Sequence, residues 1–351
     1  MNANHKEKIA SSGVAAALVA ALLFGAGTPL AKLLLGSVGP WMLAGLFYCG
    51  SGVGLAVYRT IVRAAPVKLA QGEALWLAGA TLSGGVLGPL LLMVGLTGMP
   101  ASDASLLLNA EGVFTAVLAW VAFHENFDRR IALGMALIAA GAVVLSWPQD
   151  LSFAGLWPAL AVLGACLAWG VDNNLTRKVS LNDAAWIASV KGLVAGSVNL
   201  ALALAVGDKL PNVPTVAAAM GVGFLAYGVS LALFVVGLRH LGTARTGAYF
   251  SVAPFFGAAL AVLGGEPITL ALLAAGMLMA LGVWLHLTER HMHDHAHEAM
   301  EHDHVHVHDA HHQHAHADGQ PVTGEHTHTH KHTPLNHAHP HYPDAHHRHS
   351  H

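Results

Sequence analysis

Apolar residues in this chain come in long runs, broken by short polar or Gly/Pro-rich stretches. They show neither the stripe of a surface helix nor the alternation of a half-buried strand. A membrane-spanning helix needs about 20 such residues to cross the hydrocarbon core. In the first half the runs cover residues 13–35, 40–60, 74–97, 102–123 and 130–147. In the second half they cover residues 154–176, 184–206, 214–237, 244–264 and 268–288. The pattern predicts an all-α integral membrane protein with ten transmembrane helices. The first run exceeds the about 7–15 residues of a signal-peptide core, so it reads as a retained helix. A transmembrane barrel is excluded, because its strands would alternate in short segments.

Composition agrees. Apolar residues make up 54% of the 351 and charged residues only 11%, against roughly 25% charged in soluble domains. A net charge of -3 argues against nucleic acid as a partner. With the N-terminus placed in the cytoplasm, twelve Lys and Arg fall in inside loops and one, Lys209, in an outside loop. That bias predicts both termini cytoplasmic in a bacterial inner membrane. No phosphate-binding loop, nucleophile elbow or metalloprotease pair occurs, so the chain is expected to be no enzyme and to need no resident cofactor. Cys49 and Cys166 lie in apolar runs and read as small core residues.

The two halves resemble each other. Leu23-Phe24-Gly25 in the first run matches Ala168-Trp169-Gly170 in the sixth, which sets Lys32 opposite Arg177. The stretch 117–125 parallels 258–266, so Glu125 and Glu266 each precede the last helix of their half. Five helices per copy is an odd number, so the second copy is inverted relative to the first. Ten spans with these motifs resemble the drug/metabolite transporter superfamily, EamA type, over residues 12–290. The resemblance implies a secondary transporter built from two inverted five-helix repeats, residues 12–150 and 151–290, around a central cavity. It also implies a proline in the fourth helix of each repeat. Pro254 supplies it in the ninth span, but the fourth span reads Asn109-Ala110-Glu111-Gly112-Val113. With the histidine-rich end, the pattern is similar to the branch found with nickel and cobalt resistance.

Glu111 is the sharpest candidate for transport. A carboxylate near mid-membrane costs roughly 2.5–3.5 kcal/mol to insert, so it is expected to face a cavity or a partner, as proton acceptor or cation ligand. The competing reading is an ion pair with Lys191 or Lys32 that fixes packing. Asp172, Asn173 and Asn174 would supply oxygen ligands at the cytoplasmic mouth, or simply end their helix. Lys191 is a counter-ion candidate for Glu111 or Asp172, ahead of a Gly192/Gly196 pair suited to close helix packing. Pro29 frees a backbone carbonyl within the first span, and Gly88-Pro89 marks a similar weak point in the third. Lys32 is expected to snorkel to the outer surface. Asp103, His124, Glu125, Arg239 and His240 read as solvated helix-end residues.

The last segment, 291–351, holds 23 of the 27 histidines and almost no large apolar residue, so it is expected to be a disordered cytoplasmic tail. Alternating runs occur at His291, His293, His295 and His297 and at His302, His304, His306 and His308. His311, His312, His314 and His316 follow, then His326, His328, His330 and His332. Neutral imidazole is a good ligand for nickel, cobalt and zinc, and a loose site cannot choose among them.

Residues 1–11 are expected to be a cytoplasmic N-terminus, 291–351 a metal-binding tail. The whole reads as an exporter of nickel or cobalt by proton antiport, conferring metal resistance. The alternative is export of small organic metabolites such as amino acids, with the tail sensing or storing metal. Lipid, the transported ion or molecule and protons are the expected partners, and a homodimer is left open.

Overall fold

A computed structural model describes residues 3–70, 72–123, 129–147, 153–179, 182–241 and 243–287, and the strand segments 292–297, 300–306, 326–332 and 335–340. The chain divides into two compact units, Met1–Glu289 and Arg290–His351.

Every described element of the first unit is helical, and each of the ten apolar runs carries helix. The first three runs form α1 (Ala3–Leu34), α2 (Pro40–Ile61), and α3 (Glu73–Ala80) with α4 (Gly88–Gly98). The next two form α5 (Ala101–Leu107) with α6 (Ala110–Phe123), then α7 (Arg129–Ser146). The second half repeats the order as α8 (Phe153–Thr176), α9 (Ala184–Ala205), and α10 (Val213–Gly223) with α11 (Ser230–Leu241). It ends on α12 (Thr243–Phe250) with α13 (Ala253–Leu263), then α14 (Leu270–Leu287). Six stretches are long and apolar enough to cross a membrane: Gly13–Leu34, Pro40–Ile61, Glu73–Gly98, Leu156–Thr176, Ala184–Ala205 and Val213–Gly237. Shorter apolar helices cover Ala132–Ser146, Ala253–Leu263 and Leu270–Leu285.

The copies share two irregularities. The third run of each contains a π-helical stretch, Thr81–Leu87 in one and Phe224–Val229 in the other. The fourth run of each is broken, after Leu107 and after Phe250. At the first break the Asn109 amide donates to Leu106 O at 2.9 Å, competing with the helical ladder. Glu111 is the second residue of α6, as Pro254 is the second residue of α13. The proline-for-glutamate exchange therefore sits at equivalent places in the two breaks.

Packing interlocks the copies. α2 lies against α9 and α7 against α14. α1 packs on α11 and α13, and its counterpart α8 packs on α4 and α6. Small residues allow this closeness in a medium that gives helices no hydrophobic drive to associate. A Cβ on Gly192 would stand 2.7 Å from Gly52 Cα, and one on Gly196 2.6 Å from Cys49 N, so the glycine pair expected to serve packing does so. Helix ends gather on two faces. Lys32, the α4–α5 turn and Glu266 meet on one face. Arg59 pairs with Asp183 at 2.6 Å on the other.

Four strands are described in the second unit. β1 (Met292–His297) pairs antiparallel with β4 (Leu335–Pro340), and β2 (Met300–His306) with β3 (His326–His332). Alternation with period two is the strand's own pattern, and ladder hydrogen bonds between backbones require no apolar core.

Candidate transport site

The third run is the scaffold. Pro89 has no N–H, so neither Gly84 nor Gly85 can complete its usual backbone bond at that position. Three other helices supply the missing donors. Tyr48 of α2 donates its hydroxyl to Gly84 O at 2.7 Å, and Trp169 of α8 its indole N–H to the same oxygen at 2.9 Å. Asn199 of α9 donates to Gly85 O at 3.1 Å. Its own Oδ1 is buried with no partner among the described residues. Gly84 is obligatory, because a Cβ there would fall onto the Asp172 carboxylate.

Asp172, Asn173 and Asn174 do not end their helix. α8 continues through Thr176, and the three side chains go separate ways. Asp172 is buried, and both its oxygens accept from Lys191 Nζ, at 2.5 and 2.6 Å. Thr176 Oγ1 donates to it at 2.8 Å. Asn173 donates to Glu111 Oε1 at 2.9 Å and to Thr115 Oγ1 at 3.2 Å. Asn174 donates to Gly170 O at 2.8 Å and Thr115 O at 3.2 Å.

Lys191 thus takes Asp172 as its partner, and the alternative pairing with Glu111 is not formed. The Glu111 carboxylate has one hydrogen bond, from Asn173, and no ion pair among the described residues. Space is open beside it: Asn173 is exposed, and a Cβ on Gly112 would meet nothing within 4 Å. The arrangement is one carboxylate paired with an ammonium and another that accepts a single hydrogen bond. No group of three metal-ligating side chains occurs among the described residues.

Breaking the neutralised pair has a large expected effect. With side chains only 15% and 10% exposed, removing one partner strands the other charge, at about 3–5 kcal/mol. Lys191→Met should lower stability in mixed micelles by that order. Adding Asp172→Asn should recover most of it, and a double-mutant cycle with no coupling would contradict the pairing.

Other sequence candidates lie elsewhere. Asn109 is buried and turns toward Met279 of α14, away from Glu111. Pro29 lies within α1, four residues after Gly25, and a Cβ on Gly25 would strike Ala253 O of α13. Lys32 does not snorkel outward: its ammonium caps α4, donating to Leu96 O at 2.6 Å and Met99 O at 3.0 Å, because those terminal carbonyls lack helical donors. Glu266 is no free boundary residue either, accepting from Ala101 N at 2.7 Å and Ser102 N at 2.8 Å. Burial pushes its carboxyl up, but the bonds from Ser102 and Ala101 and the Lys32 charge outweigh this and hold it below the usual range.

Cys166, read from the sequence as a small core residue, is fully buried at the break. Its thiol donates to Leu107 O at 3.5 Å, next to the Glu111 N–H that donates to Leu108 O at 3.1 Å. In the second unit, register sets His302 opposite His330 and His304 opposite His328. His293 and His295 stand opposite His339 and His337, and His306 opposite His326. His297 is in β1 and His332 in β3, opposite Leu335 and Met300. His291, His308, His311, His312, His314 and His316 lie outside the described residues.

The family model for the EamA-like transporter family matches twice, at residues 11–147 and 156–288. The chain belongs to the EamA-like transporter family. Its two matched blocks are the two halves of the helical unit, and the chain is a multi-pass membrane transporter rather than an enzyme. It is 28% identical to an uncharacterised transporter of Methanothermobacter thermautotrophicus, over 78% of this chain and 85% of that one. It is 24% identical to the inner membrane transporter YedA of Escherichia coli, over 66% and 76%. Identity is 26% to a probable amino-acid metabolite efflux pump of Salmonella typhimurium, over 77% and 93%. A crystal structure with 19% identity superposes with a TM-score of 0.59, covering 78% of this chain and 95% of the other, which speaks for the fold alone.

Proposed function

We propose that this EamA transporter crosses a bacterial inner membrane ten times, with both termini in the cytoplasm. It exports a divalent transition-metal cation, nickel or cobalt, in exchange for protons. Glu111 carries the reading: it is an uncompensated carboxylate in the broken fourth helix, where the second copy has Pro254. Asn173 holds it through an amide N–H that also reaches the neutral oxygen Thr115 Oγ1. Asp172 joins only when Lys191 releases it. Twelve cationic residues against one favour this orientation. The cytoplasmic histidines of 291–351 would gather nickel, cobalt or zinc before transport, and so confer metal resistance.

A second reading, export of a small organic amine or amino acid, has its own support. The neutral Asp172–Lys191 pair matches a zwitterion. Phe24, Tyr227 and Tyr48 form a connected aromatic group, at 5.8 Å and 5.6 Å between ring centroids. The Salmonella relative's name points the same way.

Everted membrane vesicles separate the two. Vesicles bearing the full chain should accumulate nickel several-fold over empty ones, and collapsing the proton gradient should abolish the difference. A chain truncated after residue 290 should accumulate it more slowly. Uptake of amino acids without uptake of nickel or cobalt would replace the first reading with the second.

A further inference from the structure

The α4–α5 turn joins the third and fourth runs; Leu96, Met99, Ala101 and Ser102 are at most 9% exposed, while Thr97, Gly98 and Pro100 are exposed. The orphan backbone groups of the four buried residues need protein partners, since an unmet buried group costs about 1–3 kcal/mol. The turn provides no partners itself, because α5 begins after Pro100 with no side-chain cap. Lys32, on α1, takes the carbonyls of Leu96 and Met99. Glu266, from the other copy, takes the N–H groups of Ala101 and Ser102.

We propose that Glu266 and Lys32 form the latch that shuts the transport pathway on this face, and that the face opens only when Glu266 releases α5. The latch rests on the transport reading but not on the identity of the cargo. Below it, α5 slides on small residues. A Cβ on Gly257 of α13 would meet Ser105 Oγ and Gly25 O, each at 2.7 Å. The Ser105 hydroxyl is buried and has no hydrogen-bond partner among the described residues, so nothing polar holds the interface there. α5 runs about 10 Å from the latch to the break at Leu108, where the Cys166 thiol donates to Leu107 O and the Glu111 N–H donates to Leu108 O. Release of the first turn is thereby carried to the carboxylate by one short rigid helix. Lys32 and Asp103 are the charged groups facing Glu266. Lys32 favours the latched state and Asp103 opposes it, which keeps the contact breakable.

Cys166 is a native reporter. In the full chain with Cys49→Ala, a membrane-impermeant thiosulfonate added from the latch face should label Cys166 slowly. Glu266→Ala and Lys32→Met should speed that labelling about tenfold, a shift of one decade in the open population. Labelling from the opposite face should stay the same or fall. Glu266→Gln, which keeps an acceptor, should give an intermediate rate and serves if the alanine variant is not recovered. Unchanged rates in folded variants would overturn the latch, as would equal acceleration from both faces, which signals general loosening. The labelling needs no substrate, so a failure to transport nickel leaves its outcome intact.

Discussion

Glu111→Gln should abolish export while the protein stays inserted and folded. Glutamine has the same size and can still accept from Asn173, so the substitution removes charge and proton exchange and little else. Loss of a proton-transferring group in a transport cycle is expected to cost about 100-fold or more in rate. Stability should hold or rise, because an unpaired carboxylate in a membrane helix is itself unfavourable. Nickel efflux from preloaded cells gives the rate, and detergent-resistant folding gives the stability. Glu111→Pro sharpens the test. It recreates the second copy's sequence at a first-turn position that tolerates proline. That variant should fold and fail to transport, and nickel resistance at the parental level in either variant would remove Glu111 from the mechanism.

The second large effect concerns packing. A Cβ on Gly50 would strike the backbone carbonyl of Met220, and one on Gly223 the backbone carbonyl of Phe47. These clashes lie between the main chains of α2 and α10, so no side-chain rotation relieves them. Gly50→Ala and Gly223→Ala should each cost about 3 kcal/mol or more, at the upper end of overpacking. Gly112→Ala and Gly221→Ala meet nothing within 4 Å and should stay within about 0.5 kcal/mol. Unfolding in mixed micelles measures all four, and equal losses would show that glycine content, rather than helix contact, sets stability.

The helical segments were legible because each is a local run, and the internal repeat because its motifs recur. The structure explains those motifs in matching terms. Trp169 pins the Gly84 carbonyl of the other copy's third run, and Phe24 stacks on Tyr227 in the equivalent π-helical stretch. Gly170 and Gly25 then let the other copy's fourth run approach. The cluster at Asp172 was legible as chemistry but not as partners, since the choice of Lys191 over Glu111 depends on how α8 is rotated. Lys32 and Glu266 were opaque for another reason. Their partners lie 64 to 165 residues away in the chain, and a charged residue at a helix end looks solvated until the opposite end of another helix is brought to it.

The interlocking of the copies has a consequence for biogenesis. α8 must insert against α4 and α6, and α9 against α2, although α2, α4 and α6 have already left the ribosome. Until then the helices of the first copy lie in the lipid with Gly84 and Gly85 short of two of their three side-chain donors, Trp169 and Asn199. A half-made chain is therefore a client for whatever shields polar backbone in the bilayer, and the order of synthesis makes the C-terminal repeat the step that commits the protein to its fold.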